Sequence, residues 1–396
     1  MRIALIQPDS PYLAYPLAFP SLGLLYISAH LKRNGLSPYF YDLTGGAKMP
    51  AIETDIAAFS CQITHWRQVL ELKRRIHAKL YVIGGPFPTF SPEVCRKEGF
   101  EVVRGEGEKE MLRIATGNLS TLDIAMFPDW DAIDLSRYGY GLEGKRCINI
   151  MTKRGSCPFH CAFCAKMKSP MRFRPAENVL AECEELKYRG FGAIAIYDDD
   201  VLINKKRDYE IFKGLKKLGM PYRCMTRTNL ADVEDLKMLK ETGCAEVCIG
   251  VETGDPEMKA RINKGTTVGQ DTHFVQAAKK LGLRVKAYLM IGLPGETIGS
   301  IVATRKWLME NRTENFDISV FTPYPGSDIY DNPGKYGVRW DKKSLEEIWF
   351  SGEAQYEKCA VYTGALTPDE VMYYKNALEN EFKRGTGGAT SYWGPL

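Results

Sequence analysis

Cys157-Pro158-Phe159-His160-Cys161-Ala162-Phe163-Cys164 decides how this chain is read. Three cysteines stand at CxxxCxxC spacing, with an aromatic residue directly before the last. Three thiolates hold three irons of a [4Fe–4S] cluster, where four would complete its ligation. The fourth iron then stays open to a small molecule, which makes the cluster reactive rather than a passive electron carrier. The competing reading is a structural zinc with His160 as fourth ligand. Structural zinc draws on two separated ligand pairs, whereas all the candidates here crowd one loop.

Strand and helix alternate on both sides of the loop. Cys147–Thr152 reads as the strand that feeds it. Pro175 opens a helix with Val179, Leu180, Cys183 and Leu186 on one face, and Gly190 ends it. Ala193–Tyr197, Tyr222–Thr226, Glu246–Val251, Val285–Ile291 and Phe316–Phe321 are further strands with helices between them. Strands spaced roughly 30–40 residues apart suggest a partial parallel barrel of (β/α) units. Catalytic groups in barrels collect at the carboxyl ends of strands, so the cysteine loop stands where chemistry is expected. The same edge receives Asp198-Asp199-Asp200, then Arg227 and Asn229. Gly250–Gly254 with Glu252, Gly292–Glu296 and Thr322–Gly326 follow. A solvated loop is the plain alternative for three acidic residues; here they end an apolar strand. Gly and Pro also mark ordinary turns, so the order of these segments is what makes them informative.

An earlier alternating series fills residues 1–130. Its strands are Arg2–Gln7, Pro38–Tyr41, Asp55–Ser60, Leu80–Ile83 and Glu101–Arg104. Leu22–Leu31, stopped by Gly35, and the basic stretch Arg67–His77 are its helices. This pattern predicts a doubly wound α/β sheet, whose ligands bind beyond the carboxyl ends of the strands. Gln7-Pro8, Thr44-Gly45-Gly46, Cys61–Trp66, Gly84–Thr89 and Gly105–Glu108 fall at that edge. No GxGxxG is complete there and no P-loop lysine appears, which argues against a dinucleotide or ATP.

The cysteine motif and its sequel resemble the radical SAM superfamily over about residues 147–330. The resemblance implies that S-adenosylmethionine chelates the open iron and is cleaved by electron transfer to a 5′-deoxyadenosyl radical. Phe163 would then lie near the adenine. Asp198, Asp199 and Asp200 match where the family holds the methionine amino group. Arg227 suits a carboxylate through its fork geometry, with Asn229 beside it as a further cofactor contact; Glu252 suits a ribose hydroxyl, and Gly292 the adenine-side turn. Residues 1–130 resemble the cobalamin-binding domain that precedes many such barrels. Pro20-Ser21-Leu22-Gly23-Leu24, Gly84-Gly85-Pro86-Phe87-Pro88-Thr89 and Arg104-Gly105-Glu106-Gly107-Glu108 carry that likeness; Pro8 and Thr44, at the same edge, are read as cobalamin contacts. Gln62, Ile63, Thr64 and His65 would lie under the corrin. Asp42-Leu43-Thr44-Gly45-Gly46 lacks the histidine of DxHxxG, which implies cobalt without that ligand. His65 either approaches the cobalt or is a hydrogen-bonded or solvent-facing histidine.

The expected architecture is a Rossmann-like doubly wound domain (1–130), a linker (131–146), a partial (β/α)6 barrel (147–330) and a small C-terminal helical segment (331–396). Trp340, Trp349, Phe350, Tyr356, Tyr362, Tyr373, Tyr374 and Trp393 make that last segment aromatic, and 385–389 reads as flexible. Tyr288, Tyr324 and these aromatics are candidates for a substrate pocket or for core. The whole resemblance implies a cobalamin-dependent radical SAM methyltransferase acting on a small or medium-sized metabolite, with an external electron donor such as flavodoxin or ferredoxin. A non-methylating enzyme with both cofactors, and a redox sensor whose cluster only carries electrons, are the alternatives.

Composition agrees with an ordinary folded protein. The chain has 396 residues, 44% hydrophobic and 26% charged, and a formal net charge of +4. That charge is too small to argue for nucleic acid or an anionic membrane. No apolar run approaches the ~20 residues of a membrane span. Eleven cysteines, without an export signal, read as reduced cytoplasmic thiols. Cys183, Cys224, Cys244, Cys248 and Cys359 read as small buried hydrophobes.

Overall fold

The computed structural model describes residues 1–167, 169–313, 315–352 and 357–385, with side chains through 382. Two compact units are present. One comprises Met1–Gly139 with Met167, Ser169 and Trp349–Gly352; the other comprises Tyr140–Lys166, Pro170–Ile348 and the described residues from 357 onward.

In the first unit β1 (Ile3–Gln7), β2 (Tyr39–Asp42), β3 (Glu53–Ser60), β4 (His77–Gly84) and β5 (Glu101–Val102) form a parallel sheet. Its order is β2-β1-β3-β4-β5, the doubly wound arrangement with a switch point between β1 and β3. Alternate side chains take opposite faces. Ile3, Leu5, Ile56, Ala58 and Val82 pack with Leu24 and Leu31 of helix Leu22–Arg33, and with Met111 and Leu112 of helix Glu108–Thr116. Ala4, Ile6, Ala57, Phe59 and Ile83 pack with Trp66, Val69 and Leu72 of helix Trp66–Arg75. Both faces are covered, which is why the central strands read as continuous apolar runs.

The expected helix Arg67–His77 ends at Arg75, and His77 already belongs to β4. Ile76 turns extended and enters the core. The first half of β4 carries His77 and Lys79 at a half-exposed end, so its polar residues hid the strand. β5 is shorter than expected, because Gly105 turns the chain at φ 80° shortly after it.

The second unit contains β6 (Tyr140–Leu142), β7 (Lys145–Ile150), β8 (Lys153–Arg154), β9 (Arg172–Phe173), β10 (Ala193–Ile196), β11 (Tyr222–Thr226), β12 (Cys244–Glu252), β13 (Val285–Ile291), β14 (Asn315–Val320), β15 (Arg339–Trp340) and β16 (Val361–Tyr362). Its main sheet has the order β14-β13-β12-β11-β10-β7-β6. β7 and β10 to β14 run parallel in chain order, the sequence of an open (β/α)6 half-barrel. Val285, Ala287, Leu289 and Ile291 are buried on one face of β13, while Lys286, Tyr288 and Met290 are half-buried on the other. Capping boxes at Asp232/Asp235, Thr267/Gln270 and Thr297/Ser300 start three of the covering helices.

Three features depart from the expected layout. The linker is not without structure: Tyr140–Leu142 returns antiparallel onto β7. The two-residue turn Glu143-Gly144 has φ values of 53° and 67°, as a hairpin with right-handed twist requires. β8 and β9 form a hairpin that encloses the cysteine loop. The C-terminal segment is not purely helical, since β15 pairs with β16 beside helices Lys342–Ser351 and Pro368–Gly385. Tyr356, Trp393 and 386–389 lie outside the described residues. Among the described residues no helix is long and apolar enough to cross a membrane.

Candidate active site

The cysteine loop grows from the carboxyl end of β7 and is braced beneath by buried polar groups. Asp198 accepts from the Thr152 backbone N–H at 2.9 Å and from its hydroxyl at 2.5 Å. This ties the ends of β7 and β10 together. Arg174, directly after β9, donates to Glu182 at 2.5 Å, to the Met151 carbonyl at 2.8 Å and to Asn178 at 2.9 Å. Neither side chain of the Arg174–Glu182 pair is exposed. Arg207 donates to the Arg174 carbonyl at 2.7 Å and to Asp208 at 2.5 Å, and its guanidinium lies over Phe173.

Gly155 joins β8 to the loop at φ 98°. A Cβ there would sit 2.2 Å from the Pro170 carbonyl oxygen and 2.9 Å from the Met171 Cα. Backbone cannot yield as a flexible side chain can. Gly155→Ala is expected to destabilise the loop by about 1–3 kcal/mol and to lower bound iron in anaerobically reconstituted protein; wild-type iron content in this variant would contradict the geometry.

Within the loop, Cys157 and Cys161 are half-buried and Cys164 is exposed. The Ala162 N–H bonds the Ile262 carbonyl at 2.8 Å, and the Ala162 carbonyl accepts from Ile329 at 3.1 Å. Asn263 donates to the His160 carbonyl at 2.7 Å. Lys166 donates to the Cys157 carbonyl at 2.9 Å. His160 itself is exposed. Among the described residues no three His, Cys, Asp or Glu side chains close on the position of one metal ion, as mononuclear zinc would require.

The neighbours of the thiols are charged. The Cys157 thiol lies 3.4 Å from Asp200 Oδ2. Burial pushes the Asp200 carboxyl up to about 6, against the pull of Lys153. Asp199 is exposed. Arg227 Nη1 donates to Cys161 Sγ at 3.4 Å, and Nη2 donates to the Lys264 carbonyl. Lys264 Nζ meets Glu252 Oε1 at 2.6 Å, with both side chains buried, and lies 5.8 Å from the Phe163 ring centroid. Glu252 has φ 65° at a register shift in β12, and this bend returns its carboxylate over Gly250. A Cβ on Gly250 would stand 2.3 Å from Glu252 Oε1 and 2.6 Å from Lys264 Nζ, so glycine makes room for the pair. Asn229 is exposed and donates to the Gly265 carbonyl at 3.2 Å. Gly292 turns at φ 90°; its N–H and that of Leu293 bind Glu296, whose buried carboxyl is pushed up to about 8 by burial.

The carboxyl edge of the first unit is gathered separately. The Cys61 N–H bonds the Gly84 carbonyl at 2.8 Å, and the Phe87 N–H bonds the Cys61 carbonyl at 3.2 Å. The Thr89 hydroxyl donates to the Gly85 carbonyl at 2.7 Å and accepts from the Gly105 N–H at 3.1 Å. These bonds tie the loops after β3, β4 and β5. The Thr44 N–H is held by Asp42 at 3.1 Å, and the Gly45 N–H by Asp9 at 2.7 Å. Pro8 and Leu22 are buried, Glu106 is half-buried and Gly23 is exposed with open space above it. Gln7 is buried at this edge, and its Oε1 has no partner among the described residues.

His65 closes the loop Gln62-Ile63-Thr64. The Gln62 N–H donates to Nδ1 at 3.3 Å, which places the ring proton on Nε2, 2.8 Å from Ser10 Oγ. Tyr12 Oη lies 3.3 Å from Nε2 and accepts from Thr64 at 2.5 Å. Both ring nitrogens are taken within the unit. Burial lowers the His65 pKa from 6.5 to about 4, opposed by Asp9. The unfolded chain therefore binds a proton that the folded one refuses, and stability falls as pH drops from about 6.5 to about 4. The loss is expected to reach about 3 kcal/mol, read in urea melts across that range; a His65→Gln variant should flatten that slope.

Comparison with known proteins follows the same division. Residues 154–308 match the family model described as the radical SAM superfamily. The fold of the chain is shared over nearly its whole length with TsrM, a radical S-adenosylmethionine methyltransferase from Kitasatospora setae solved with cobalamin and a [4Fe–4S] cluster. That likeness has a TM-score of 0.73 at 16% identity, covering 96% of this chain and 91% of TsrM. An uncharacterized methyltransferase of Pyrococcus horikoshii is 30% identical over 301 residues, 66% of this chain and 65% of its own length. The anaerobic magnesium-protoporphyrin IX monomethyl ester cyclase of Rubrivivax gelatinosus is 25% identical, over 84% of this chain and 70% of the relative.

Sequence reasoning missed Lys264, Lys153, Ser10 and Tyr12. Lys264 stands twelve residues beyond Glu252 in a loop with no periodicity. Ser10 and Tyr12 reach His65 only because β1 and β3 are neighbours in the sheet.

Proposed function

We propose that this chain is a cobalamin-dependent radical SAM methyltransferase that moves a methyl group to an unactivated carbon of a small or medium-sized metabolite. The observation that carries the reading is the cysteine loop. Three free thiols stand at the carboxyl end of the first parallel strand of a half-barrel, with Asp200 beside Cys157 and Arg227 beside Cys161. When bound, the cofactors supply reductive cleavage of S-adenosylmethionine and methyl transfer through cobalt.

The chain's own residues do the rest. Cys157, Cys161 and Cys164 hold three irons. Asp200, rather than the engaged Asp198 or the exposed Asp199, is placed to accept from the methionine amino group. Glu252, fixed by Lys264, accepts from ribose hydroxyls, and Phe163 covers the adenine. The buried pair around Gly250 keeps water from this corner. In the first unit the open space at Gly23, the tied loops 84–89 and 104–106, and the orphaned Gln7 acceptor suit a corrin edge and its amides. Electrons come from an external donor such as flavodoxin or ferredoxin, in the cytoplasm.

The methyltransferase names of the Pyrococcus relative and of TsrM support this reading. The cyclase name of the Rubrivivax relative favours a second one, in which both cofactors serve a ring closure without methyl transfer. Anaerobic turnover with methyl-labelled S-adenosylmethionine separates them. A product heavier by one methylene and carrying label is expected; an unlabelled, dehydrogenated product would transfer the case to the cyclase.

A further inference from the structure

Arg227 is buried, with 6% of its surface exposed, in the second unit. Its guanidinium lies 3.9 Å from the Phe159 ring centroid, and Phe159 belongs to the cysteine loop itself. Nη1 points at Cys161 Sγ, 3.4 Å away. Nη2 is committed to the Lys264 carbonyl. Nε is buried with no partner among the described residues. A buried donor without an acceptor is costly, and a guanidinium cannot shed its charge to escape the cost. The fork is therefore not free to clamp a carboxylate with both ends, as the sequence alone suggests for this residue. One arm serves the loop backbone, one serves a cysteine sulfur, and the remaining N–H lacks the acceptor that a cluster sulfide beside Cys161 would provide.

From this geometry we infer that Arg227 is a positioning residue of the cluster: it donates to the Cys161 sulfur and to the adjoining inorganic sulfide, and sets the reduction potential. The inference rests on the radical SAM reading above. Hydrogen bonds and positive charge at the sulfurs favour the reduced, more negative cluster, so they raise its potential. Lys264 is paired with Glu252, so Arg227 is the cation that faces Cys161, while Asp200 stands beside Cys157. The cluster environment is therefore polarised, with its positive side at Cys161.

The test is EPR-monitored potentiometry of the anaerobically reconstituted full chain without S-adenosylmethionine. Arg227→Gln is expected to disfavour reduction about tenfold, a shift of ~59 mV to lower potential for a one-electron couple. Arg227→Lys keeps the charge and loses the fork, and is expected to shift less in the same direction. It also serves where the glutamine variant folds poorly. In the wild-type chain, deuterium exchange should give hyperfine couplings from an exchangeable proton at the reduced cluster, and their absence would overturn the inference. An unchanged midpoint in both variants, with binding of S-adenosylmethionine weakened instead, would also overturn it and return Arg227 to the carboxylate. Failure of the wild-type chain to hold any [4Fe–4S] cluster would remove the radical SAM reading together with this inference.

Discussion

Cys157→Ala, Cys161→Ala and Cys164→Ala are each expected to leave the chain folded and nearly free of iron. The thiols do not support the fold: Cys157 and Cys161 are half-buried and Cys164 is exposed. The loop is held instead by backbone bonds at Ala162 and by the Asn263 amide on the His160 carbonyl. Removing one sulfur therefore costs little packing and takes away one iron's protein ligand. A cluster with one open iron tolerates that position being open, but a second open iron leaves it labile. Iron and sulfide analysis after anaerobic reconstitution, with circular dichroism for the fold, reads both parts. Wild-type iron in any of the three variants would remove that cysteine from the ligand set.

The second large effect is expected at Glu182. Arg174 and Glu182 are both fully buried, and they brace the hairpin β8–β9 that carries the loop. Glu182→Gln leaves a buried guanidinium without its counter-charge. Truncating one partner of a buried pair costs roughly 3–5 kcal/mol, visible as a lower urea midpoint. Iron loading should fall with it, although Glu182 touches no cysteine. The double variant Arg174→Met/Glu182→Leu should recover most of the stability, since apolar replacement of the whole pair removes the desolvation cost as well. A single variant as stable as wild type would show that the bracing is carried elsewhere.

The parallel strands were legible because they are short apolar runs bounded by Gly, Pro and acidic turns. Tyr222–Thr226 and Val285–Ile291 are found at the residues expected. The half-exposed start of β4 and the short pairs β6, β8, β9, β15 and β16 were not legible. Their pairing depends on partners that a local pattern does not reveal. Glu143-Gly144 was the missed turn signal. At the site, sequence order places Asp198–Asp200, Arg227 and Glu252 at one sheet edge. It does not tell that Asp198 is spent on Thr152, that Arg227 turns to Cys161, or that Lys264 neutralises Glu252. Those are tertiary facts, set by loops that cross after the strands are in place.

The most direct measurement is anaerobic reconstitution of the full chain with iron, sulfide and cobalamin, followed by metal analysis and a 5′-deoxyadenosine assay with reductant and S-adenosylmethionine. About four irons per chain, bound cobalamin and deoxyadenosine release are the predicted result. Iron near zero, or a full cluster that never cleaves S-adenosylmethionine, would contradict the account.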